Sequence, residues 1–182
     1  ASLDAWATAA PEASLPLVLR GNHWFNRGRH RRGSSYFRNT SQSQRRDMRE
    51  AFALAEVNYL TAIQFDPTSD TAYRRLLIIY MVTSRDIDKF PLWQKAIDAG
   101  AGTTKLHRAL FNSILPWWGW LSMEESAATM REVIAEIDGG ILEGTGDVEL
   151  LRSFPDWVEA ESLSREGKHA ESLAKYETFV DG

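Results

Sequence analysis

Cysteine is absent from the 182 residues of this chain. Disulfides, thiol nucleophiles and cysteine-based zinc sites are excluded with it. No apolar run approaches the roughly 18 residues that a membrane-spanning helix needs. The four histidines, His23, His30, His107 and His169, show no H-E-x-x-H or H-x3-H spacing, so no metal site is expected. There is no G-x-S-x-G, no Walker loop and no G-x-G-x-x-G. The run Gly139-Gly140-x3-Gly144-x-Gly146 lacks a preceding strand and reads as a loop. Acid pairs such as Glu124-Glu125 fit a helix N-terminus, where negative charge complements the helix dipole. The chain is therefore expected to be non-enzymatic and to hold no cofactor.

The composition is that of a globular protein, with 43% hydrophobic and 25% charged residues. Seven Trp is a surplus, and Trp favours half-buried packing sites and interfaces. Net charge is −4, unevenly spread. Residues 20–49 hold nine Arg and one acid, Asp47; the rest holds 12 Lys plus Arg against 24 Asp plus Glu. Such a segment either binds an anion or packs against the acidic remainder of its own chain. The chain starts at Ala1 rather than Met, as expected of a processed or trimmed product, and shows no signal peptide. A cytoplasmic location is expected, with a periplasmic or secreted one left open.

Apolar periodicity and breakers predict an all-α protein. A short helix covers 3–9, interrupted by Pro11 to Pro16; residues 17–38 are helical in part, weakened by Gly21, Gly28 and Gly33. Ser41 or Ser43 caps a helix over 44–65, where Met48, Phe52, Ala55, Tyr59, Ala62 and Ile63 form a stripe. Asp66-Pro67 ends it. Further helices are predicted over 70–83, 86–99, 103–115, 123–138, 147–165 and 168–180. Ser122 and Glu125 form a capping box before the fourth of these.

Two stretches repeat at an offset of 34 residues. Tyr59 and Ala62 recur as Trp93 and Ala96, and Tyr73, Leu76, Leu77 and Tyr80 recur as His107, Leu110, Phe111 and Ile114. A period of this size marks stacked helix–turn–helix units, because one unit cannot bury its apolar face alone.

The pattern resembles the tetratricopeptide repeat, W-x2-L-G-x2-Y, A-x3-F and P over 34 residues. Ala55-x3-Tyr59 with Ala62 and Pro67 is similar to the second half of one repeat. Tyr73-x2-Leu76-Leu77-x2-Tyr80 sits in the next frame, with Tyr for Trp and Leu for Gly. Lys89 takes a position normally Ala, so looser or rotated packing is expected there. Trp157, Ala160, Leu163, Gly167 and Tyr176 resemble a further degenerate repeat. Leu3-Asp4-x-Trp6 with Pro11-x2-Ser14, Arg32-Gly33-x2-Tyr36-x3-Thr40, and Pro116-x-Trp118-Gly119 occur in an order that resembles a bacterial family without assigned function, domain-of-unknown-function family 4034. Trp120 departs from the last Gly of that family's P-x-W-G-G loop. The resemblance implies antiparallel helix pairs stacked as a short right-handed solenoid. It implies one helical-repeat domain over 1–182, with Arg-rich helices in 1–43, repeats in 44–138 and a helix pair in 147–182.

In tetratricopeptide arrays the first helix of each pair lines a concave groove. The resemblance places Thr71, Arg74, Ile78 and Met81 there from one repeat, and Lys105, Arg108 and Asn112 from the next. The last three are similar to part of a carboxylate clamp for acidic peptide C-termini. In the loop Pro116–Trp120, Trp117 and Trp120 are candidate exposed anchors for a partner, while Trp118 reads as an inter-helix wedge. The function expected is a protein-interaction scaffold that receives a peptide or protein partner, in one version a bacterial immunity protein or secretion adaptor. The alternative is an anion-, nucleotide- or nucleic-acid-binding module built on Arg27, Arg29, Arg31 and Arg32, beside Trp24, Tyr36 and Phe37. The acidic isoelectric point, near 5.6, and the lack of a nucleic-acid motif speak against nucleic acid.

Overall fold

A computed structural model describes residues 3–33, 39–118, 121–137 and 148–181, with side chains described as far as Tyr176. The expectations for Tyr36, Phe37, Gly119, Trp120 and the loop Gly139 to Gly146 lie outside the described residues. Among the described residues the fold is all-helical: α1 Leu3–Ala9, α2 Ser14–Arg32, α3 Gln42–Phe65, α4 Asp70–Val82, a 3-10 turn Asp86–Asp88, α5 Lys89–Asp98, α6 Thr104–Ile114, α7 Met123–Glu136, α8 Val148–Arg165 and α9 His169–Asp181. None of these helices is long and apolar enough to cross a membrane.

Local chemistry sets the boundaries. The Ser41 hydroxyl accepts from the Gln44 N–H while the Gln44 side chain accepts from the Ser41 N–H, and Ser122 with Glu125 repeats this box before α7. Thr103 caps α6 through the Leu106 N–H. Gly33, Gly100 and Gly167 follow α2, α5 and α8 with φ of 75°, 76° and 79°, a region that L side chains avoid. The sequence reading placed Pro16 in an interruption. It lies instead in the first turn of α2, where a backbone N–H has no intrahelical acceptor to lose. Nor do Gly21 and Gly28 break α2, which runs unbroken to Arg32.

The chain divides into two compact units, Ala1–Ile79 with Gln94–Ala101, and Tyr80–Trp93 with Gly102–Gly182. In the first, α2 and α3 run antiparallel, because their pairs descend one chain as they ascend the other. The Ser14 hydroxyl meets Asp66, Arg20 donates to Asn58, the Tyr59 hydroxyl donates to Asn22, Phe25 packs on Phe52 and Arg31 faces Asp47. Tyr59, Phe52, Met48 and Phe25 form its core. In the second unit α8 packs against α6, α7 and α9. Every member of the 34-residue echo is buried: Tyr59, Ala62, Tyr73, Leu76, Leu77 and Tyr80, and likewise Trp93, Ala96, His107, Leu110, Phe111 and Ile114.

Lys89, where looser or rotated packing is expected, is a buried and fully hydrogen-bonded cation. It is 2% exposed, and its three donors are all used: Nζ donates to Asp86 Oδ1 at 2.5 Å, to the Ser113 carbonyl at 2.6 Å and to the Trp118 carbonyl at 3.3 Å. The ammonium thus closes the carbonyl end of α6, where a cation is electrostatically favoured.

Candidate functional site

The second unit contains a cleft of about 250 Å³ lined by Arg108, Asn112, Leu150, Phe154 and Trp157. Its walls follow from two amphipathic helices. On α6, Leu106, Leu110, Phe111 and Ile114 turn inward, which leaves Lys105, Arg108 and Asn112, at spacings of three and four, on the opposite face. On α8, Val148, Leu151, Pro155 and Val158 are buried, and Leu150, Phe154 and Trp157 form the adjoining stripe. The aromatic rings build the floor outward: Phe111 lies 5.7 Å from Phe154, Phe154 6.1 Å from Trp157, and Trp157 stands edge-on to Trp117 at 5.8 Å. Trp117 is 42% exposed and carries the Arg165 guanidinium 5.3 Å from its ring centroid. The Asn112 side-chain N–H donates to the Arg108 carbonyl at 2.9 Å, which leaves the side-chain oxygen as the acceptor of that amide.

Arg108, Asn112 and Trp117 therefore gather around Phe154 and Trp157, two residues that the motif frame did not place in a binding face. Phe154 carried no sequence signal of its own, since its position depends on α8 lying across α6. Lys105 is exposed one turn before Arg108. Arg74 and Ile78 belong to the first unit. Arg74 is engaged on its own helix, with Nε donating to Asp70 Oδ2 at 2.8 Å and the terminal nitrogen to the Thr71 hydroxyl at 3.3 Å. Ile78 is half-buried.

The arginines of α2 separate by partner. Arg31 lies 4.0 Å from Asp47, which also meets Arg46 at 3.8 Å. Arg27 lies over the Trp24 ring at 5.2 Å. Arg29 and Arg32 line a recess of about 530 Å³ with Asn26, His30 and Gly33. The charge asymmetry of the sequence follows the division into units. The first holds 12 Lys plus Arg against eight acids, the second nine against 17.

Two buried polar rings remain. Trp93 Nε1–H donates to His107 Nδ1 at 3.2 Å, so the imidazole proton sits on Nε2, which is buried with no hydrogen-bond partner among the described residues. Burial lowers the His107 pKa to about 4 and keeps the ring neutral. The Tyr73 hydroxyl is likewise buried, with no hydrogen-bond partner among the described residues. No group of three or more His, Asp or Glu is placed to hold a metal among the described residues. Comparison with known proteins returned no matching family model, no matching curated protein and no matching solved structure.

Proposed function

We propose that this protein is a non-enzymatic interaction scaffold that binds a peptide or protein partner, and that the cleft between α6 and α8 is where it does so. The observation that carries this reading is the convergence of Arg108 and Asn112 with the Phe154, Trp157 and Trp117 rings. Aromatic anchors beside an Arg are what dominates binding energy at protein interfaces. The guanidinium suits a carboxylate, the Asn112 side-chain oxygen accepts a backbone N–H, and the aromatic wall takes an apolar side chain. The occupant that fits is a short acidic segment with one bulky apolar residue.

In this reading the helix pairs stack as a short right-handed tetratricopeptide-like solenoid, and the chain is a member of domain-of-unknown-function family 4034. The 34-residue echo with all its positions buried and the order of the three short motifs support it. A bacterial, cytoplasmic accessory role, as an immunity protein or secretion adaptor, is the biological form proposed. Co-purification at native expression followed by mass spectrometry tests the function. One stoichiometric protein partner is expected with the wild type and is expected to be lost with the double variant Arg108→Ala, Trp157→Ala. Recovery of no stable partner, or its retention by the variant, rejects the reading.

A further inference from the structure

One face of α3 is apolar and exposed. Leu54, Val57, Leu60 and Phe65 are 45%, 63%, 38% and 43% exposed. At 3.6 residues per turn they fall, with the exposed Ala53 and Gln64, on one arc of about 140°. Phe52 and Tyr59 occupy the other side of the helix, against Gly28 and Gly21 of α2. Ala53, Val57, Leu60 and Gln64 alternate at spacings of four and three, the pattern of a seam between two helices. Glu56 is the one charged residue of α3 after Glu50, and it lies beyond the edge of the arc.

Charge bounds this stripe with opposite sign at its two ends. Before it, the Arg46 side chain is 71% exposed, and its nearest carboxylate, Asp47 at 3.8 Å, is shared with Arg31. Arg49 is exposed there too, with no ion pair among the described residues. After it, Asp66 accepts from the Thr68 N–H and from the Thr68 and Ser14 hydroxyls, all neutral groups. We propose that this face joins two copies of the chain, with α3 packed antiparallel on α3 about a two-fold axis near Val57. Antiparallel pairing sets Arg46 and Arg49 of each copy toward Asp66 of the other and brings Glu50 opposite Gln64. Parallel pairing would oppose like charges and like helix dipoles. Because both copies use the same surface, association closes at two. Four side chains of this size at these exposures offer roughly 300 Å² of apolar surface per copy. With a polar rim of ordinary share the pair buries about 1,000 Å², the lower end of specific interfaces. A dissociation constant on the order of 10–100 μM is therefore expected.

Sedimentation equilibrium of the full chain, from about 1 μM to about 500 μM, tests this range. The wild type is expected to pass from the 20.6 kDa of one chain to twice that mass and no further. Val57→Asp is expected to weaken association about a hundredfold, since two carboxylates would meet near the axis, with helical content by circular dichroism unchanged. If Val57→Asp loses helical content, Val57→Ser carries the same test, with weaker association expected. A wild type that stays monomeric throughout, as when a different protein covers the stripe, overturns the proposal. So does full retention of the dimer by the folded variant. Orientation is read by oxidising single-cysteine variants, which the absence of native cysteine makes unambiguous. A mixture of Arg46→Cys and Thr68→Cys is expected to give the mixed disulfide in preference to either self-linked dimer. Preferential self-linking of Arg46→Cys would mean parallel pairing and overturns the arrangement.

Discussion

Single side chains in this protein are decided by whether their polar atoms find partners. Lys89 has all three donors matched by a carboxylate and two carbonyls, so a charge in the interior is tolerated. His107 has one nitrogen matched and one without a partner among the described residues. Its pKa falls from 6.5 in the unfolded chain to about 4 in the folded one, so between those values the unfolded state binds the extra proton. Its contribution to stability is therefore complete above pH 6.5 and is lost as the pH falls through that window to about 4. A difference of this size corresponds to on the order of 3 kcal/mol. Urea unfolding of the wild type and His107→Phe at pH 7 and near pH 4 measures it. The wild type is expected to lose about 3 kcal/mol more than the variant, and parallel losses would show that the buried ring does not titrate on unfolding. The sequence showed that His107 takes an aromatic core position. The partner on Nδ1 depended on Trp93 being folded against it.

At the scale of elements, the α2–α3 pair shows why two glycines inside a helix are not breaks. A Cβ at Gly28 would lie 2.6 Å from the Phe52 ring and 3.3 Å from the Met48 carbonyl; one at Gly21 would lie 2.6 Å from the Tyr59 ring. The glycines let two helices approach closely around large buried rings. Gly28→Ala gains about 1 kcal/mol of helix propensity but must displace a ring that is 1% exposed, a strain of about 1–3 kcal/mol. A net destabilisation of about 1 kcal/mol is expected in chemical denaturation, and a stabilised variant would mean that Phe52 moves freely. The sequence offered the stripe Met48, Phe52, Ala55 and Tyr59 but read the glycines by propensity alone. Which residue faces a glycine is a property of the helix pair, so propensity misled there. Helix boundaries other than those of α2 were read within about three residues, because a Ser, a Gly or a Pro acts within a single turn.

For the whole molecule, the charge asymmetry coincides with the division into two units, the first positive and the second negative. The candidate cleft lies within the second, acidic unit. Arg108→Ala with Trp157→Ala is expected to abolish partner capture while the helical content, measured by circular dichroism, stays that of the wild type. A loss of helical content in the variant would show that these residues hold the fold rather than the partner.

The sequence by itself determined the helical class, most element boundaries other than those of α2, and the buried members of the repeat. These depend on periodicity and on residues that act within a turn, and both are local. Only the tertiary structure decided which arginines are spent on Asp47 or Asp70, that Lys89 closes the end of α6, and that Phe154 and Trp157 meet Arg108 and Asn112. The reason is that hydrogen bonds, ion pairs and ring contacts of this kind join residues from a few to more than forty positions apart. Nothing in the linear order states that distance until the helices pack.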